Sequence, residues 1–326
     1  MLKFTYFVLS VISITHIINP YPSSKGSENF IAQPICRESM IRAREEAKGI
    51  ADVKLCAVFM HGQEHELPNA FEVLPSLNRS IVDYADTGMK RRLPVFVDVL
   101  SAGYEFGNSD YIVYTNADIG VMPSFYKMIA HYASKGYDAF AINRRRISGR
   151  FTNVEQLEEI YSEAGEKHTG YDTLVFKRDL FSKFNLQKVC IGFPFFDTAL
   201  IHNFYAHANN FKLFTGKHLT FHIGMDLVKE WGDGQESAFN RKEFHTVLKD
   251  LYPKFQIENF PGAGLPFFVR HFKWLMNPTF HYPTMLRLDI SQLSHKRRKY
   301  PPREIKKFSY RIFNWLIRFV NFPDED

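Results

Sequence analysis

The sequence predicts an α/β fold: a Rossmann-type, mostly parallel sheet flanked by helices, with a helical C-terminal extension. Short runs of β-branched and aromatic residues alternate with longer amphipathic stretches through the first half of the chain, the pattern of a doubly covered parallel sheet. No internal repeat, low-complexity block or heptad run competes with that reading. Hydrophobic residues make up 45% of the 326 positions and charged residues 23%, so enough apolar surface exists to exclude disorder over most of the length.

Residues 4–18 (FTYFVLSVISITHII) are too short for a bilayer span of roughly 20 residues. They are interrupted by polar side chains and rich in Val and Ile. A buried first strand is the expectation, with a targeting segment as the alternative. Asn19-Pro20-Tyr21-Pro22 ends it. A helix is expected over 34–48 from Pro34, then a strand at 53–60. His61, Glu64, His65 and Glu66 follow. They lack the His-Glu-x-x-His order of a zinc helix and read as a surface loop. A helix after Pro94 (to about 106), a strand at 110–115, a helix at 124–134 and a strand at 137–143 come next. Strand 171–178 and helix 195–209 complete the series.

Charge is uneven. The formal net charge is +6, yet residues 295–326 hold nine basic and four acidic side chains, so the rest of the chain is near neutral. No zinc-finger spacing or RNA-recognition signature accompanies the basic tail, and no nucleic-acid partner is expected. Within 303–320, Ile305, Phe308, Ile312, Trp315, Leu316 and Phe319 recur at three- and four-residue spacing beside Lys and Arg. That is a basic amphipathic helix suited to a membrane surface, or to docking on the core. Three cysteines (Cys36, Cys56, Cys190) have no metal-ligand spacing and cannot all pair. This excludes a disulfide scaffold and favours a reducing compartment. The expected location is cytoplasmic with peripheral membrane contact, and a secretory-pathway membrane protein is the alternative. Only in the latter would the sequon Asn78-Arg79-Ser80 matter.

The most informative stretch is YIVYTNADIGVMPSFY, Tyr111 to Tyr126. An apolar strand runs into a polar triplet ending in Asp118, where open α/β sheets bind ligands. Asp118 could hold a divalent cation through hard oxygen ligands or could cap a turn. Arg91 and Arg92 could face phosphates, although a solvated charge run is the commoner explanation. The same choice applies to Arg144, Arg145 and Arg146. Around Gly170, His168 and Asp172 could hydrogen-bond acceptor hydroxyls, or form a polar turn entering a strand.

The ordered set then resembles GT-A fold glycosyltransferases. VISITHIINPY resembles the first strand that opens the nucleotide site in that family, which places Asn19 at the donor. TNADI resembles its Asp-x-Asp motif, with Asn116 for the first acid and Asp118 for the second. IGFPFFD, after YDTLVFKRDLF, resembles the segment that carries the catalytic base, which the resemblance puts at Asp197, with Asp172 as the alternative. His222 in TFHIG matches a histidine that completes the metal shell. The resemblance spans about residues 9 to 226, and Asn116 is its main departure. It implies a GT-A-like domain over 1–250 and a C-terminal helical extension over 251–326. It further implies a nucleotide-sugar donor, a glycan or glycolipid acceptor, and a divalent metal (Mn²⁺ or Mg²⁺) held by Asp118 and His222. The implied role is polysaccharide or glycoconjugate synthesis. Two other readings stay open: a metal-dependent nucleotidyl or phosphoryl transferase, and a non-catalytic, membrane-associated binding protein on the same fold.

Overall fold

The computed structural model describes residues 11–84, 92–224, 234–277 and 280–297. Residues 4–10 of the expected first strand, Arg91, and the amphipathic segment 303–320 lie outside them.

In chain order the elements begin with β1 (Ile12–Ile18), α1 (Glu28–Glu46), β2 (Ala51–Ala57) and β3 (Phe71–Val73). Next come α2 (Phe96–Phe106), β4 (Tyr111–Thr115), β5 (Ile119–Val121), α3 (Phe125–Ser134) and β6 (Ala139–Ile147). They continue with α4 (Leu157–Ser162), β7 (Glu166–Lys177), α5 (Phe196–His207), β8 (Phe211–Phe214) and β9 (Thr220–Ile223). The chain closes with α6 (Gln235–Leu251), α7 (Phe267–Leu275) and α8 (Tyr282–Arg297). The nine strands form one sheet in the order β3-β2-β1-β4-β7-β6-β9-β5, with β8 also on β6. β3, β2, β1 and β4 run parallel, as do β8 and β9 beside β6. β7 is antiparallel to both its neighbours, and β5 to β9. The sheet is therefore mostly parallel, as the alternation in the sequence predicts.

Alternation along the central strands divides the core. Tyr114, Ile112, Leu174 and Phe176 join Ile17 on one face, under α2, α5 and α6. Tyr111, Val113 and Val175 join Ile14 and Ile18 on the other, under α1 and α3. Burial on both faces explains why β4 reads as an unbroken apolar run, YIVYT. Residues beyond α6 share the first of these clusters: Phe255, Phe260, Trp274, Phe280 and Met285 pack with Phe204 and Phe244.

Two elements differ from their sequence expectation. α1 starts at Glu28, with Pro34 in its interior rather than at its start. Ser27 supplies the cap, its side chain accepting from the Phe30 N–H at 3.2 Å. The buried stripe of Ala32, Ile35, Cys36, Met40 and Ala43 offsets the hydrogen bond that Pro34 cannot make. The second difference follows the Asp118 turn. β5 intervenes before α3 there, because Gly120 lets β9 come close. A Cβ on Gly120 would fall inside the Phe221 ring.

Candidate functional site

β4 ends at Thr115, and the next three residues turn the chain into β5, closed by Ile119 N–H donating to Asn116 O at 3.1 Å. β9 pairs antiparallel with β5 so that His222 lies opposite Ile119. This register brings His222 Nε2 to 3.5 Å from Asp118 Oδ2. A carboxylate and an imidazole separated by about a hundred positions thus converge at the carboxyl end of a central strand. Burial tends to raise the Asp118 pKa. The His222 imidazole against it and the Arg144 guanidinium outweigh that, so its pKa falls below the ordinary aspartate value.

The floor beside this pair is Tyr114. Its hydroxyl donates to Asn116 Oδ1 at 3.0 Å, and its ring meets Phe96 and Phe196 edge-on. Burial, then the nearby charges of Asp118, Asp172 and Asp197, push the phenol pKa far above its usual value. Three carboxylates therefore lie within electrostatic reach of one buried tyrosine. Sequence reasoning had no reason to single out Tyr114, which looks like any core aromatic of an apolar strand.

Asp172 comes from β7, whose pairing with β6 is irregular between Ile142 and Arg145. The irregularity aims Arg144 at Asp172, and Arg144 Nη1 donates to Asp172 Oδ1 at 2.6 Å. Arg144 is thus one half of an inward ion pair, not part of a solvated run. Arg146 is likewise buried, and it pairs with Glu166 at 2.9 Å. Arg145 donates to Gly165 O. β6 simply continues through the arginine triplet to Ile147. Two buried atoms of the Arg144–Asp172 pair, Arg144 Nε and Asp172 Oδ2, have no hydrogen-bond partner among the described residues. Buried polar atoms are nearly always satisfied, so the pair has capacity left for a polar ligand.

His168 and Gly170 sit within β7, not in a turn before it. Gly170 N–H donates to His168 Nδ1 at 2.9 Å, which leaves the ring proton on Nε2. A Cβ on Gly170 would stand 2.8 Å from His168 Cε1, so glycine makes room for the ring. Burial, then Arg144, lowers the His168 pKa. The ring is neutral at pH 7 and can donate from Nε2.

Asp197 is the second residue of α5, whose cap position is Phe195 in the left-handed region (φ 84°). Its Oδ1 accepts from Thr198 N–H at 2.7 Å and from Thr198 Oγ1 at 3.2 Å. Burial, reinforced by the like charge of Asp172, pushes its pKa up to about 6.

The remaining sequence candidates hold the frame. Asn19, at the carboxyl end of β1, donates Nδ2 to Val58 O at 2.7 Å and ties β1 to the end of β2. Arg92 reaches the carbonyls of Asn78 (3.1 Å) and His61 (3.4 Å), joining the segments that follow β2 and β3. His61 and Glu64 form an exposed loop contact at 3.7 Å, in line with the surface-loop expectation. All three cysteines are free and buried. Among the described residues, no cluster of three or more His, Cys, Asp or Glu side chains could hold a metal by itself.

The sheet, its flanking helices and the carboxylate turn at the end of β4 form a mostly parallel α/β architecture of the class that the sequence predicts. No family model and no curated protein matches the chain. Among solved structures it is similar to residues 1–349 of S. aureus TarS, at 9% identity over 80% of this chain and 68% of that one, with a TM-score of 0.46. A complex of the same TarS fragment with UDP-GlcNAc aligns at 12% identity over 81% and 73% of the two chains, with a TM-score of 0.45. In a longer TarS structure the chain covers 42% of the partner's length. M. tuberculosis glucosyl-3-phosphoglycerate synthase aligns at 12% identity over 73% and 80%, with a TM-score of 0.40.

Proposed function

We propose that this protein is a glycosyltransferase that moves a hexose from a nucleotide-diphosphate sugar to a hydroxyl of a glycan or glycolipid. The observation that carries this reading is the meeting of Asp118 and His222 at the carboxyl end of β4, beside Asp172, Arg144 and Asp197. Asp118 offers a hard anionic oxygen and His222 a nitrogen. The two donors are close enough to share one Mn²⁺ or Mg²⁺, and diphosphate oxygens would complete the shell. Such a cation would stabilise the negative charge that grows on the departing diphosphate.

The residues divide the remaining work. Asp197, with its pKa near neutrality, accepts the proton of the acceptor hydroxyl as that oxygen attacks the anomeric carbon. The bond from that carbon to the diphosphate breaks as the new glycosidic bond forms, in an inverting displacement. Asp172 holds Arg144 in place and keeps the Asp197 pKa high. With His168 it offers hydrogen bonds to the acceptor. Asn19, Asn116, Arg91 and Arg92 are assigned to the donor side. The proposal extends to a transferase domain over 1–250 and a helical extension over 251–326. It also covers peripheral membrane contact through 303–320, a cytoplasmic site of action, and a role in building a polysaccharide or glycoconjugate.

A thermal-shift screen of nucleoside diphosphates and nucleotide sugars, UDP and UDP-GlcNAc included, with and without Mn²⁺, tests this. At a hundred times Kd a ligand adds about 2.7 kcal/mol of stability. The expected result is a shift for one nucleotide family that needs the metal and disappears in Asp118→Ala. A chain that responds to no nucleotide under either condition is not a nucleotide-sugar transferase.

A further inference from the structure

α7 turns Arg270, His271 and Trp274 inward and most of its remaining apolar side chains outward. His271 and Trp274 are buried. Arg270 and His271 both grip Asp289 of α8, at 2.7 Å and 2.8 Å, and Trp274 Nε1 donates to Pro261 O at 2.8 Å. Facing out are Phe268 (44% exposed), Val269 (46%), Phe272 (65%), Leu275 (58%) and Met276 (65%). At 100° per residue these five side chains fall within one arc of about 120°. Lys273, also exposed, borders it. A helix that only covered a core would show the reverse arrangement, and a contiguous exposed apolar patch marks an interaction surface.

We infer that this face of α7 rests on the surface of an anionic lipid bilayer, and charge decides among the possible occupants. Residues 261–299 carry seven cations and a single acid. That acid is Asp289, already engaged by Arg270 and His271. The chain's own segment 303–320 has the right apolar periodicity to cover α7, but it brings five cations against one acid. Laying it there would set like charges together. A second copy would set this cation-rich segment, exposed Lys273 included, against itself. An anionic headgroup layer complements that charge, while the acyl boundary takes up Phe268, Phe272 and Met276. No helix among the described residues is long and apolar enough to cross a membrane. The contact is therefore one of lying on the surface, with α7 about 14 Å long in the plane. This inference stands apart from the sugar-transfer reading, since none of these residues belongs to the carboxylate cluster.

The test is flotation of the full-length chain with phosphatidylcholine vesicles, and with vesicles in which roughly one lipid in three is phosphatidylglycerol. The parent should float with the anionic vesicles and not with the neutral ones. Phe272→Asp combined with Met276→Asp should cut that partition at least tenfold, and Lys273→Glu by a smaller factor, with melting temperatures unchanged because all three side chains are exposed. Parent-like flotation of the double variant overturns the inference. So does a dimer-to-monomer change in that variant without vesicles, which would assign the face to a second copy. Exposure of a hydrophobic-dye site only on removal of residues 300–326 overturns it in favour of the tail.

Discussion

Two carboxylates, one buried and one largely buried, each sit against an arginine, and they end up with opposite characters. Asp289 accepts from Arg270 and from His271, and is 3% exposed. Both donors meet on Oδ2 and clip α8 to α7, while His271 Nδ1 has no partner among the described residues. Asp172 accepts from Arg144 through Oδ1 alone, its Oδ2 lacks a partner among the described residues, and its charge raises the pKa of Asp197. Asp118 and His222 stand close by. A carboxylate oxygen gripped by two donors stabilises structure, whereas a carboxylate with one donor and an unpartnered oxygen, set near other carboxylates, is held ready for something else.

Substitutions should separate the two sites, and the largest effect falls on the second. Asp118→Ala should lower turnover by about a thousandfold or more, the scale of losing a principal charge-stabilising group. Its melting temperature should stay close to that of the parent. Steady-state kinetics beside a melting curve measures both, and parent-like turnover would remove Asp118 from the chemistry. Asp289→Ala should do the converse. It strands Arg270 and buried His271 and should cost about 3–5 kcal/mol of stability, while turnover per folded molecule is kept. Urea denaturation reads this directly, and an unchanged midpoint would mean that the clip does nothing for stability.

Asp197→Asn sharpens the contrast within one residue. Turnover should fall by about 10²-fold or more for loss of a general base. Stability should instead rise. The folded-state pKa of Asp197, about 6, lies above the ordinary aspartate value of 3.8. The folded protein therefore binds the extra proton between those values and loses stability as pH climbs through them. At neutral pH the buried charge costs about 1–2 kcal/mol after allowance for its partial exposure, and asparagine removes that cost. A variant that loses activity and also melts earlier would make Asp197 a structural residue. In the parent, kcat/KM should rise with pH through an apparent pKa near 6.

The last effect shows only in acid and concerns His16. It is buried between Tyr126 and Thr115, and burial lowers its pKa to about 3. A depressed histidine contributes stability above its unfolded value near 6.5 and loses it as pH falls toward 3. His16→Gln should flatten the acid limb of the stability profile. An identical limb in that variant would assign acid sensitivity to other groups.

The legible features are the local ones. β4 and its turn could be read because an apolar run followed by Asn116-Ala117-Asp118 is contiguous, and α5 and α3 because their apolar spacing is helical. Pro34 misled because a Ser27 cap and a buried stripe can carry a helix past a proline. The Arg144–Arg146 triplet misled because a run of charges looks solvated until β7 is laid beside it. The convergence of His222 on Asp118 came from resemblance, and the β5–β9 register accounts for it physically.

By itself the sequence determined the alternating α/β architecture, the strand that leads into the Asp118 turn and the cationic bias of the C-terminal end, since each is written in neighbouring residues. Tertiary structure alone decided that Tyr114 lies within electrostatic reach of three carboxylates, that Arg144 faces Asp172 and that α7 shows its apolar side to solvent. Those outcomes depend on which surfaces meet across the sheet, and side chains that touch there are separated along the chain by tens of residues.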